Sequence, residues 1–309
     1  MSDYYAFSGI DDAIERTKSL LWPFNWSIWW RIAVISLFTG GFGGFNFPTS
    51  YNTDAGTPEM SQIFSGLSGL SDILLWLIAV LIIIAVIFSI LSSIFQFVFV
   101  KFLSEKEFRL KNYFVENTGK GLRLFGFWAA MIIAVVAIVA LFVFLAFSTA
   151  KGAGLLLFIP AICIFLLLIL LVAIIALFTV DFVVPIMIKD DCGVIEGWKK
   201  CWRLLRDNLS QSFIYLIMKI IISIVVSILL IIAAVIVMIL VGIPFLALAL
   251  LAGIGLGISL LHITLLVLYL IIIIPLLLII SVPFNTFIRI YSLEVLGKMK
   301  TEYMMTGED

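Results

Sequence analysis

Asp181 and Lys219 have the strongest claim to chemistry in this chain, because each interrupts a long apolar run. An ionisable side chain in such a run is retained where it pairs, relays a proton or lines a path through the membrane. An Asp181–Lys219 pair joining two neighbouring helices would form an intramembrane polar site of that kind. Depth bears on its role. Counted from Leu155 at about 1.5 Å per residue, Asp181 lies about 39 Å along its run, beyond the hydrocarbon layer and at its far interface. Lys219 enters the next run by about 10 Å from the same side, where its stem can snorkel. A structural or interfacial tie is the favoured reading, with transport or gating through the pair as the alternative.

The other candidates point to contacts rather than catalysis. Lys199, Lys200, Arg203 and Arg206 cluster on one short segment and suit anionic lipid headgroups or a partner protein. Asp190 and Asp191 could hold a metal, but beside Lys189 they read as helix-capping or solvated charges. His262 has no second His or Cys near it in sequence, and Cys163, Cys192 and Cys201 form no CxxC pair. No P-loop, GxSxG or HExxH pattern occurs. We therefore expect no enzyme activity and no cofactor. With 19 basic and 19 acidic residues, bulk charge gives no reason to expect nucleic acid.

The elements that must position these residues are membrane spans. The chain is 64% hydrophobic and 12% charged over 309 residues, with a mean hydropathy of +1.27, far beyond what a soluble core hides. Continuous apolar runs without alternation predict helices, at 27–45, 73–100, 127–148, 155–184, 212–241 and 263–284. Seventeen of the nineteen Lys and Arg fall in residues 1–31, 101–125, 189–211 and the tail from 285. The connections on the other side hold only Lys151. By the positive-inside rule this places both termini in the cytoplasm of a cell-membrane protein. The acidic start (Asp3, Asp11, Asp12, Glu15) is unlike a signal peptide. Two sequons, at Asn25 and Asn208, fall on the cytoplasmic side and should carry no sugar.

The expected fold is all-α integral membrane: six transmembrane helices as three hairpins in a single domain over 1–309, with amphipathic interfacial helices on the cytoplasmic side. Apolar Val194, Ile195, Trp198, Cys201, Trp202 and Leu205 oppose the charges of 193–208, and Ile10, Ala13, Ile14, Thr17 and Leu21 oppose those near the N-terminus. Residues 112–125 show a weaker version. Repeat units at 10–105, 112–190 and 193–300 would follow, their returning spans ending in Gln96-Phe97, Asp181-Phe182 and Pro283-Phe284. The apolar stretch 243–259 reads as a re-entrant hairpin or external cap, since a seventh span would move three basic residues outside. Seven of the eight Trp (22, 26, 29, 30, 128, 198, 202) mark cytoplasmic boundaries, leaving Trp76 at the outer one. Gly40–Gly44 and Gly253–Gly257 fit GxxxG, and 46–72 is the longest polar outer connection.

Two stretches carry a resemblance. Residues Gly9 to Lys18, with Leu20-Leu21-Trp22-Pro23-Phe24 and Trp30-Arg31, resemble a family of uncharacterised archaeal multi-pass membrane proteins. Phe182-Val183-Val184-Pro185, Gly193 to Trp198 and Leu204 to Asn208 are similar to the membrane domain attached to some bacterial glycerophosphodiester phosphodiesterases. The resemblance implies a membrane domain but no activity, since the soluble catalytic domain of those enzymes has no counterpart here. The expected function is a non-catalytic scaffold or accessory engaging lipid or a partner.

Overall fold

A computed structural model of the chain describes residues 4–39, 72–105, 110–149, 154–251 and 260–305. Among them every regular element is helical: α1 (Tyr5–Leu21), α2 (Trp26–Thr39), α3 (Asp72–Ser104), α4 (Leu110–Thr149), α5 (Gly154–Phe178), a π-helical turn (Thr179–Val183), α6 (Val184–Lys189), α7 (Val194–Asp207), α8 (Leu209–Leu251), α9 (Leu260–Met299) and a 3-10 turn (Thr301–Tyr303). Five stretches are long and apolar enough to cross a membrane: Trp76–Ser104, Leu110–Phe144, Ile162–Lys189, Leu209–Leu251 and Leu261–Met299. The first expected span, 27–45, corresponds to α2. Its 14 residues reach about 21 Å, short of a bilayer core of roughly 30 Å. Residues 40–45 lie outside the described residues, as do both GxxxG patterns and all of 46–72 except Asp72.

Two expected boundaries are corrected. Residues 112–125 are not a separate interfacial helix but the first turns of α4, which runs unbroken for 40 residues. The segment 243–251 is not a separate element: it continues α8 as one 43-residue helix with Pro244 inside it, while 252–259 lies outside the described residues. Breaking a helix among apolar residues would expose backbone groups with no water to accept them, so continuing past one proline costs less.

Burial is concentrated at one end of the molecule. Ile94 to Phe102 of α3, Phe178 to Met187, the start of α8 as far as Val226 and the end of α9 contribute most of the core, together with α1 and α7. Towards the other end the long helices expose their apolar side chains, among them Ile132, Phe144, Leu167, Ile231 and Leu266. The molecule thus has a packed end and an open end.

Close backbone contacts shape the packed end. In α1 the buried residues are Ala6, Gly9, Ala13, Thr17 and Leu21, a seam of mostly small side chains at helical spacing. A Cβ on Gly9 would lie 3.0 Å from Val295 Cγ2, so the seam seats α1 directly on α9. Ion pairs flank it: Arg16 with Glu294, and Lys298 with Asp12 at 2.5 Å. Tyr291 donates to the carbonyl of Ala6 at 3.1 Å. The expected apolar face of α1 is therefore only partly correct, because Ile14 is exposed while Asp12 and Arg16 are spent within the protein. Between α3 and α4 the approach is closer still, at Gly121 over Ile94.

Candidate functional site

The site is built around a defect in a helix. Pro185 has no N–H to give the preceding turn, and its ring crowds the carbonyl of residue 181. The helix widens into the π-turn Thr179–Val183 just before it, and such turns shift side chains out of regular register. Asp181 stands in the middle of this turn and points inward.

Lys219 of α8 lies 3.0 Å from Asp181 Oδ2, and Arg289 of α9 lies 3.8 Å from Oδ1. The three side chains are 6%, 8% and 5% exposed. Tyr215 donates to Asp181 Oδ2 at 2.7 Å. Lys219 donates to Ser292 Oγ at 2.5 Å and to the carbonyl of Ile288 at 3.3 Å. Arg289 donates to the carbonyl of Val180, within the π-turn, at 2.8 Å, and more weakly to that of Gln96 on α3 at 3.5 Å. Gln96 in turn donates to the carbonyl of Thr39 at 3.2 Å. One network thus ties the π-turn to α8 and α9, and through Gln96 to α3 and α2.

An aromatic ladder lies alongside. Phe178, Phe182, Tyr215 and Tyr291 follow one another at centroid spacings of 5.5, 4.8 and 5.9 Å. Such contacts contribute about 0.5–1.5 kcal/mol each beyond area burial. They pack against the ion site, whose low exposure strengthens the attraction and raises the cost of leaving a buried ion without its counter-charge.

The expected Asp181–Lys219 pair is present, but two parts of the expectation change. Lys219 does not snorkel; it turns inward because Asp181, Ser292 and the carbonyl of Ile288 satisfy it there. Arg289, assigned from sequence to a solvated tail, is buried as the third member. Tyr215, Arg289 and Ser292 were missed altogether. A signal existed for Arg289, since the apolar pattern runs on past it through Ile290, Leu293, Val295 and Leu296.

The basic residues of α7 are divided. The helix buries Val194, Gly197, Cys201, Leu204 and Leu205 against the protein, so its narrow apolar stripe faces the core. Ile195 and Trp202, expected on that face, are 74% and 65% exposed. They share an outward line with the exposed Lys199 and Arg206, at i, i+4, i+7 and i+11. Lys200 instead donates to Asp190 at 2.8 Å, which holds its ammonium above the usual lysine range. Arg203 lines a cleft beside the chain's last turn.

Asp190 and Asp191 are spent on ion pairs, Asp190 with Lys200 and Asp191 with Lys120 at 2.8 Å. The Lys120 hydrogen bond holds the Asp191 carboxyl below the usual range. No group of three or more metal-ligating side chains occurs among the described residues. Burial pushes the Cys201 thiol up to about 12 and raises that of Cys192, an environment that disfavours the thiolate.

A search of curated proteins and a search of solved structures returned no match. A family model does match, from residue 4 to residue 306. That match takes in the π-turn, all three ions and the basic helix α7, so the chain belongs, over nearly its whole length, to the family of unknown function DUF7544.

Proposed function

We propose that the protein is a non-catalytic scaffold or accessory of the cell membrane, whose packed end lies at the cytoplasmic surface and engages anionic lipid there. In this reading α2 belongs to a sixth span, and the spans form three hairpins, α2/α3, α4/α5 and α8/α9, with both termini cytoplasmic. The skewed placement of Lys and Arg supports the orientation. The likeness of 182–208 to phosphodiesterase membrane domains, and of the N-terminal stretch to archaeal proteins, fits a membrane module without chemistry of its own.

The observation that carries the proposal is the outward line of α7. Ile195, Lys199, Trp202 and Arg206 alternate apolar and basic groups on one exposed stripe, and exposed Leu209 and Phe213 follow at the start of α8. Apolar groups that enter a headgroup layer beside cations that pair with its phosphates are what an interfacial contact requires. Each cation near an anionic surface is worth about 1 kcal/mol. The variant Lys199→Gln/Arg206→Gln should therefore retain several-fold less phosphatidylglycerol, relative to phosphatidylcholine, when purified from mixed bilayers and assayed by lipid mass spectrometry. Equal retention by the variant and the parent would remove the lipid reading and leave a protein partner.

One observation favours a transport reading instead. Lys219, Ser223 and Ser227 follow one another at i, i+4 and i+8 along a lateral crevice of about 460 Å³ that also touches Leu177 and Ile228. This gives the buried ions a polar edge towards the lipid side. Reconstituted vesicles should show ion or solute flux that Ser227→Leu blocks if the crevice conducts. Flux absent from the parent protein sinks this second reading.

A further inference from the structure

A cleft of about 570 Å³ opens between α7 and the 3-10 turn Thr301–Tyr303, floored by Leu204 and Met299 and rimmed by charged groups of both signs. Most of those charges are already matched. Asp190 Oδ2 accepts from Lys200 at 2.8 Å and from Tyr303 at 3.1 Å, Lys200 also lies 3.5 Å from Glu196, and Lys300 pairs with Glu302 at 2.5 Å. The Asp190 hydrogen bond raises the pKa of Lys200, the Glu302 hydrogen bond raises that of Lys300, and burial raises that of Tyr303. The Lys300–Glu302 set is neutral, and the Lys200 set, with Asp190 and Glu196, carries one net negative charge.

Arg203 and Asp207 remain. Both are exposed on the cleft, and neither has an ion-pair or hydrogen-bonding partner among the described residues. They stand four residues apart on α7, about 5–6 Å between Cβ atoms. Arg before Asp is the less favourable order for an i, i+4 pair on a helix, which is consistent with their standing apart. Among the described residues the cleft thus offers one unpaired guanidinium and one unpaired carboxylate side by side over an apolar floor. A polyanion would meet three carboxylates here (Asp190, Asp207, Glu302), and among the described residues no cluster suits a metal ion.

We propose that this cleft binds a phosphate–amine zwitterion of the phosphoethanolamine type, with the phosphate on Arg203 and the ammonium on Asp207. A guanidinium can grip two phosphate oxygens, and a primary ammonium can donate directly to a carboxylate. A short spacer keeps the two charged ends of such a ligand close together, as the i, i+4 spacing of Arg203 and Asp207 calls for. Asn208, on the same rim, can supply an amide to either end of the ligand. This chemistry has two sources, the headgroup of phosphatidylethanolamine and a free phosphoethanolamine compound. The site does not depend on the outward stripe of α7, since Lys199 and Arg206 take no part in it, so either proposal can fail alone.

The test uses the full chain in phosphatidylcholine nanodiscs, titrated by calorimetry with phosphoethanolamine, with glycerol phosphate and with ethanolamine. Phosphoethanolamine should bind at least about tenfold more tightly than either half-ligand, the step expected of one charge-assisted hydrogen bond. Arg203→Gln should abolish binding. Asp207→Asn should make phosphoethanolamine and glycerol phosphate bind alike. Both side chains are exposed, so neither variant threatens the fold, and Lys111→Gln, at an exposed position of α4 that does not line the cleft, serves as a control that leaves binding unchanged. Equal affinity for the half-ligands, or binding unaltered by Arg203→Gln, overturns the proposal. Phosphatidylethanolamine retained through purification by the parent and lost by the two variants makes the bilayer the source. Binding of the soluble compound without such retention supports the site with a free ligand.

Discussion

Asp181→Asn should destabilise the packed end by about 3–5 kcal/mol, whereas Lys219→Met should cost far less. The amide has nearly the same shape and can still accept from Tyr215, so packing and the hydrogen bond survive. What is lost is the only carboxylate among the three ions. Two buried cations, Lys219 and Arg289, would then face each other with no counter-charge between them. Lys219→Met removes one of the two cations and leaves Asp181 with Arg289 and Tyr215, a balanced set of about the original volume. The double variant Asp181→Asn/Lys219→Met leaves one unpaired cation and should fall between the two. Unfolding in rising SDS from mixed micelles, followed by tryptophan fluorescence, orders the three. A larger loss for Lys219→Met than for Asp181→Asn would mean that the site does not balance charge in this way.

Gly121→Ala should destabilise the protein, against the sign expected of glycine replacement in a helix. Alanine in place of glycine inside a helix ordinarily gains roughly 0.5–1 kcal/mol. Here the new Cβ would stand 2.7 Å from the Cα of Ile94 and 2.5 Å from its Cγ1. The nearer atom belongs to a side chain that can rotate, but the backbone atom cannot retreat unless α3 and α4 separate. Overpacking of that kind costs about 1–3 kcal/mol. Gly126, on the same helix with nothing within 4 Å of its Cβ position, is the internal comparison, and Gly126→Ala should show the ordinary gain. The same SDS titration reads both variants, and two effects of equal sign would show that the α3–α4 contact is looser than described.

Much of the architecture was legible because hydropathy and helix length are coupled directly. A run of more than about 20 apolar residues admits little else, and five of the expected spans overlap the five stretches that qualify. What periodicity could not supply was which apolar face meets protein and which meets lipid. Both are satisfied by the same residues, so Ile195 and Trp202 looked equivalent to Cys201 and Leu205. Small residues would have been the better guide in α1, where Ala6, Gly9 and Ala13 mark the seam. At the ion site, Asp181 and Lys219 stood out because each breaks an apolar run. Arg289 did not, because it follows a proline-containing apolar run at the point where a tail was expected to begin. Tyr215 and Ser292 carry no charge, and only their placement opposite Asp181 and Lys219 gives them a role.

The division into a packed end and an open end bears on how such a chain can vary over time. Between lipid-facing helices there is no gain from hiding one aliphatic side chain against another, since acyl chains serve equally well. Along the halves of α8 and α9 at the open end, one branched aliphatic residue is therefore as good as the next, and substitutions there need only preserve oiliness. At the packed end each position answers to a shape or a charge: a glycine under Ile94, a glycine under Val295, an acid opposite two bases. Related chains are then expected to look alike at that end and to drift freely at the other, so that likeness measured over the whole length understates how much of the design is shared.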